Sequence, residues 1–227
     1  MNIARMHTEF MVGYDKVDDL SYPDLRPEER DLFINKAIES IVKQRYSGNN
    51  ARKESVEETQ KRRDDLRNIT SNYRTTTFIN NTNNKENGVF VDLPKDYWFA
   101  LEEEAVISHV DCHNNSTTSR VLIKPVTHDR YNRIKHDPFN KPNKIEVISL
   151  PYEDFRNEII VDNDSSVEEY FLRYLRKPAE VSFIDDIDCD LSEHLHREIV
   201  DYAVNLAIEN IESPRFQTQG SELYRNE

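Results

Sequence analysis

The segment Cys189–Val200, CDLSEHLHREIV, sets a thiol, two imidazoles and three carboxylates within twelve residues. These groups suit three kinds of chemistry. For zinc, His194 and Glu198 stand four apart and share a helix face, whereas His194 and His196 do not. The helical zinc motif sets histidine at both such positions, so a four-ligand site would combine Cys189 and His194 with Cys112 and His113. That combination stays open as a metal-binding alternative. For calcium, Asp186, Asp188 and Asp190 alternate correctly. Leu191 then stands where the loop needs glycine, and Arg197 where it needs a bidentate glutamate, so the match fails. The third reading is a helix entry, in which Asp190 and Glu193 have N-cap and third-position spacing and Ser192 competes as the cap. It accounts for most of the stretch.

Nucleophilic chemistry has less support. No GxSxG occurs, and four glycines do not make a phosphate-cradling loop. Cys112 and His113 are neighbours, and adjacent residues on a strand point to opposite faces. No enzyme is expected, and no catalytic, cofactor-binding or metal-ligating residue is assigned.

A charge contrast remains. Residues 120–144 carry Arg120, Lys124, Arg130, Arg133, Lys135, Lys141 and Lys144 against Asp129 and Asp137, a net of +5. Residues 180–193 carry Glu180, Asp185, Asp186, Asp188, Asp190 and Glu193 without a basic residue. These are candidate docking patches, through which copies of the chain or different partners meet. The alternatives are two solvated faces, a basic face toward DNA phosphate, or a basic face that reads one regulatory partner.

The elements that would position these groups follow from periodicity. Residues 1–20 read as an extended polar arm. A helix follows, with Pro27 in its first turn, Glu28, Glu29 and Asp31 at its positive end, and an apolar stripe of Phe33, Ala37, Ile38, Ile41 and Val42. Residues 51–69 read as a second helix that is mostly solvated or meets a neighbouring subunit through charge. The middle reads as strands: 72–94 with a loose Asn-rich loop, then ALEEEAVISHVDC, SRVLIKPV, KIEVISL, NEIIVD and VEEYFLRYLRKPAEVSF. A short helix, THDRYNRIKHDPF, is expected to be capped by Thr127. From Asp190 the helical period returns, with Leu195, Ile199, Tyr202, Ala203, Leu206 and Ile211 on one face.

The expected class is α+β. The N- and C-terminal helices (21–70 and 190–212) form a helical bundle, 71–189 is a β-rich insertion, and 1–20 and 213–227 are extended arms.

At 227 residues the chain suits one domain with an insertion. Its 37% hydrophobic and 32% charged content fits an elongated chain or one subunit of an assembly better than a deep-pocketed enzyme. The net charge of −13 argues against global nucleic-acid binding, yet suits a surface that DNA must pass without sticking. Two cysteines suggest a reducing compartment. The first residues lack a signal-like apolar core, and no segment approaches membrane-spanning length, so neither secretion nor a membrane is expected.

Four phrases in order, FVDLPKDYWFALEEEA, VLIKPVTHDRYNRIKHDPFNKP, YFLRYLRKPAEV and LSEHLHREIVDYAVNLAIENIESPRFQ, resemble the virion neck proteins of crAss-like gut bacteriophages. The similarity spans about residues 25–217. The helix–β–helix order also resembles the head-to-tail adaptor, or gatekeeper, proteins of short-tailed phages. The resemblance implies a non-enzymatic structural subunit in a homo-oligomeric ring, a dodecamer by analogy, between portal and tail. Its partners would be the portal protein and other neck or tail rings, with double-stranded DNA passing through without sequence-specific contact. It further implies residence in the virion neck and tail region after assembly in the host cytoplasm. It brings no cofactor and no catalytic residues. The long polar 51–88 region departs from simple adaptors.

Overall fold

The computed structural model describes residues 1–14, 25–47, 60–80, 85, 87–110, 116–153 and 155–210. The chain falls into two compact units, Met1–Ile69 with Pro178–Glu227, and Thr70–Lys177. Among the described residues there are five α-helices and seven strands.

The first unit is helical. Helix α1 (Ile3–Tyr14) buries Ile3, Met6, His7, Phe10 and Tyr14. That spacing of three and four is the signature of an amphipathic helix. The expected extended N-terminal arm is therefore overturned over these residues: the apolar stripe is deep enough to hold a packed helix. Helix α2 (Pro27–Ser47) opens as expected at Pro27, and the Glu29 carboxylate accepts from the Arg26 amide at 2.8 Å, closing its first turn. Ile34, Ala37, Ile38, Ile41 and Val42 are buried along it, with Phe33 only partly so. Helix α3 (Gln60–Leu66) runs into a 3₁₀ turn, Arg67–Ile69. Gln60, Lys61, Arg63, Asp64, Arg67 and Asn68 are exposed, in line with a mostly solvated helix, while Arg62, Asp65, Leu66 and Ile69 form one buried edge. Residues 51–59 lie outside the described residues.

Helix α5 (His196–Asn210) packs against both α1 and α2. Its buried face is Ile199, Val200, Ala203, Val204, Ala207 and Ile208. Tyr202 and Leu206, expected on that face, are half-buried at its margin, and Ile211 lies outside the described residues. Gly13 allows the close approach of α1 to α5: a Cβ there would stand 3.1 Å from Val204 Cγ2.

The second unit is a curled seven-stranded sheet. Its strands are β1 (Thr70–Thr75), β2 (Gly88–Asp92), β3 (Tyr97–Val110), β4 (Ser116–Pro125), β5 (Glu146–Glu153), β6 (Arg156–Ile160) and β7 (Ser165–Arg176). Their spatial order is β1-β7-β3-β4-β5-β6-β2. All pairs are antiparallel except β4–β5, which is parallel and joined by the crossover helix α4 (His128–His136). Pro125 is the last residue of β4, and the Val126 amide just after it donates to the Ser149 carbonyl at 2.9 Å. Thr127 takes the N-cap position of α4 as expected. It serves through its carbonyl, which accepts from Arg130 and Tyr131 amides, and makes no side-chain cap hydrogen bond. Register shifts along β3–β7 mark bulges in this long pair, which bend the strands.

One sheet face carries the core: Val91, Ala105, Ile107, Val121, Ile123, Val147, Ile159, Tyr170, Leu172 and Tyr174. On the other face of β5 and β6, α4 covers Ile148, Leu150 and Ile160 with Tyr131 and Ile134. The remaining outer face is ionic. Arg74 pairs with Glu169 at 2.5 Å, Arg120 with Glu104, and Arg173 with Glu102 at 3.3 Å. The Arg74 and Arg120 guanidinium groups flank the Phe171 ring at 5.3 and 4.4 Å. Glu103 instead points into the core beside Ser149 and Tyr170, where burial raises its carboxyl above the ordinary range and those hydrogen bonds oppose the rise. Tyr170 is likewise raised, chiefly by burial.

A helical bundle is thus not the organising core. The sheet is substantial in its own right, and the fold is a mixed α+β arrangement. The strands of β1–β7 build a core of their own, which the reading of 71–189 as an insertion into a helical bundle does not anticipate. Residues 178–189, read as part of the β-rich segment, group with the helices. The expected C-terminal arm, 213–227, lies outside the described residues.

Candidate functional site

The Cys189–Val200 stretch forms the junction at which α5 begins. Ser192 caps a 3₁₀ turn, Glu193–Leu195, through its carbonyl, while its hydroxyl donates to the Asp64 carbonyl at 2.9 Å. Asp190 does not cap the helix: it accepts from the Ala179 amide at 3.1 Å. Glu193 lies 3.0 Å from the Met1 amino nitrogen. Both nitrogens of buried His196 face carbonyls, of Met1 and Leu191, each at 3.0 Å.

His194 and Glu198 do converge, but on charge rather than metal. His194 Nε2 donates to Asp65 Oδ1 at 2.7 Å. Arg45 Nε lies 3.0 Å from Asp65 Oδ2, and Arg45 Nη2 donates to Glu198. Arg45 and Asp65 are almost wholly buried, so this chain of ions ties α2, α3 and α5 into one structure. Among the described residues no three potential ligands gather around a metal position. The half-buried Cys189 thiol is pushed up to about 11, mainly by burial, which disfavours the thiolate a metal or nucleophilic role requires. Cys112 and His113 lie outside the described residues.

The acidic segment folds into a fixed hairpin. Ser182 and Ile187 exchange backbone hydrogen bonds at 2.9 and 3.3 Å, and Ser182 Oγ bonds both the Asp185 carboxylate and its amide. Asp186 turns the chain at φ 52°. The base is anchored to α2: Asp31 accepts from the Phe183 amide at 3.0 Å, and Asn35 bonds both the amide and the carbonyl of Val181. The His7 ring stacks on Phe183 at 4.7 Å. Asp188 accepts from the Ile3 amide at 2.6 Å at the start of α1. Asp188 and Asp190 are therefore engaged within the unit, and Asp185 and Asp186 are the acids displayed at the tip.

The basic segment spreads over β4, α4 and the turn into β5. Arg120 is paired with Glu104, Lys124 lies 3.7 Å from Glu146, and Lys144 donates to the Val110 carbonyl at 3.2 Å. Arg130, Arg133 and Lys135 are exposed on α4, and Lys141 on the following turn. That turn is pinned by Asp137, which accepts from Phe139 and Asn140 and is thereby held below the usual carboxylate range. Beside it lies an open groove of about 210 Å³, lined by Tyr131, Lys135, Lys141, Pro142 and Ile160 among others.

Sequence reasoning missed Arg45 and Asp65, although Arg45 continues the α2 apolar stripe three and four residues after Val42 and Ile41. It also missed the exposed apolar tips. Ile184 is 66% exposed and Phe139 90%, each on a turn pinned by hydrogen bonds.

Three matches bear on identity. The phage tail ring protein 3/4 family matches residues 1–218. Ring protein 3 of Bacteroides phage crAss001 is 29% identical over 196 residues, covering 79% of this chain and 83% of that protein. Ring protein 4/5 of the same phage is 27% identical, covering 91% of this chain and 92% of that protein. With a match that runs through both the helical unit and the sheet unit, the chain belongs to the phage tail ring protein 3/4 family, whose members are structural ring proteins of the virion.

Proposed function

We propose that the chain is a non-enzymatic subunit of a twelve-membered ring in the neck of a virion, between portal and tail, that lengthens the channel for packaged DNA. The observation that carries this reading is the family match over residues 1–218. The named rings of the crAss001 relatives support repetition of one chain around an axis. The net charge of −13 supports a lumen past which DNA slides without adhering. Assembly takes place in the host cytoplasm, with the portal and other tail rings as neighbours.

Copies meet through charge: the displayed acids of the 182–187 hairpin and the cations of α4 and its turn are the complementary surfaces. The test is electron microscopy of the purified chain, alone and with its portal, with class averages along the ring axis. Closed rings coaxial with the portal are expected. A chain that stays monomeric and ignores the portal overturns the reading.

A further inference from the structure

We infer that neighbouring copies join through two unlike surfaces, with Ile184 at the tip of one copy's 182–187 hairpin seated in the groove beside α4 of the next. This rests on the ring reading above and gives its interface a specific form. A closed ring of more than two copies needs a head-to-tail contact, so each chain must present two different, mutually complementary patches.

The hairpin meets the requirements of the inserting surface. Its backbone bridge, the Ser182–Asp185 bonds and the Asp31 anchor fix it before any partner arrives, so little ordering entropy is lost on association. It nonetheless turns large apolar groups outward: Ile184 is 66% exposed and Ile187 39%. Asp185 and Asp186, both exposed, flank that apolar tip.

The groove offers the converse. Its lining sets Tyr131, Pro142 and Ile160 among the polar Asn87 and Asn163, and Lys135 and Lys141 stand there with one acid, Asp162. A volume of about 210 Å³ accommodates one branched aliphatic side chain with part of the turn that carries it. The 137–143 turn, which contributes Lys141 and Pro142 to the lining, is pinned by Asp137 and displays Phe139, 90% exposed. An apolar tip flanked by acids thus meets a groove that offers Tyr131 and Pro142 beside two lysines, which matches in charge.

The test uses two full-length variants. The hairpin variant carries Ile184→Ser, Asp185→Lys and Asp186→Lys; the groove variant carries Lys135→Glu and Lys141→Glu. All five side chains are exposed, and far-UV circular dichroism with thermal melting checks that both variants fold as the wild type does. By analytical ultracentrifugation and electron microscopy, each variant alone is expected to lose ring assembly, with self-association at least about tenfold weaker. Mixed in equal amounts, they should form a one-to-one pair and stop, because only one intact hairpin and one intact groove remain to meet. Variants that still form rings overturn this inference and leave the ring reading standing, as does a mixture that stays monomeric while the wild type assembles. Retained rings with lost binding to a different tail ring protein would also overturn it. Wild-type chains that never assemble, with or without the portal, overturn the ring reading itself.

Discussion

Asn35 grips Val181 at two points: its Nδ2 donates to the Val181 carbonyl at 3.0 Å, and its Oδ1 accepts from the Val181 amide at 2.9 Å. One side chain thereby imitates a strand partner and fastens the returning chain to α2. Val181 is 2% exposed, so neither backbone group has water to turn to. Asn35→Ala should lower unfolding free energy by about 1–3 kcal/mol, read from urea denaturation, because both groups are left unsatisfied. Asn35→Asp should lose stability as well, since the carboxylate cannot donate to the Val181 carbonyl.

The Arg45–Asp65 pair gives a second expectation. Arg45→Met should destabilise by about 3–5 kcal/mol, because it removes the buried cation that stands against the buried Asp65 carboxylate. Adding Asp65→Leu should restore part of the loss. A double-mutant cycle by thermal denaturation measures this coupling, and additive losses would rule out a direct pairing.

The buried Glu103 predicts a pH dependence. Its folded-state pKa is raised, so the stability it contributes is fully present below the unfolded value near 4.5 and is lost as pH rises through the higher folded value. Glu103→Gln removes the titration. The stability difference between Glu103→Gln and wild type should therefore grow in favour of the variant as pH climbs above 4.5. Denaturation curves collected across the acid-to-neutral range read this directly, and parallel profiles would contradict it.

Cys189 supplies a fourth. A thiol pushed up from 9.0 to about 11 holds roughly a hundredfold less thiolate at pH 8 than an unperturbed one. In the folded protein its alkylation by iodoacetamide, followed by peptide mass spectrometry, should be slower by about that factor than in urea.

The strands were readable because burial on one side and salt on the other writes alternation into the chain. Tyr170, Leu172 and Tyr174 face the core while Phe171 and Arg173 face outward, a period no helix shares. Likewise α2 announced itself through Pro27, its first-turn acids and Ile38, Ile41 and Val42. Helix α1 was missed because it has neither an acidic first turn nor a basic last one, and its stripe is only twelve residues long. The roles of His194 and Glu198 depend on Asp65 and Arg45, which are more than one hundred residues away along the chain. Spacing within one segment cannot report such a meeting: it reads the stretch as a helix entry, which Ser192 bears out, without revealing that it is also one end of an ion chain. The surface patches were legible as charge. Which of their members are already satisfied inside the unit, as Asp188 and Arg120 are, depends on three-dimensional pairing.

The pairing of Thr70 with Leu175 places the start of the sheet beside its end, so all seven strands come from one uninterrupted span of chain. Helices α1 and α2 have no such luxury, since α5, the surface on which they pack, is made after the sheet is complete. At a synthesis rate of about 5–20 residues per second, α1 and α2 wait on the order of ten to thirty seconds for α5. Throughout that interval Phe10, Ile34 and Ile38 have no α5 to cover them on the ribosome, while a chain halted just past Arg176 already contains every strand of the sheet. Birth order therefore makes the sheet the first part able to mature and leaves the helical unit as the step most exposed to misassociation in the cell.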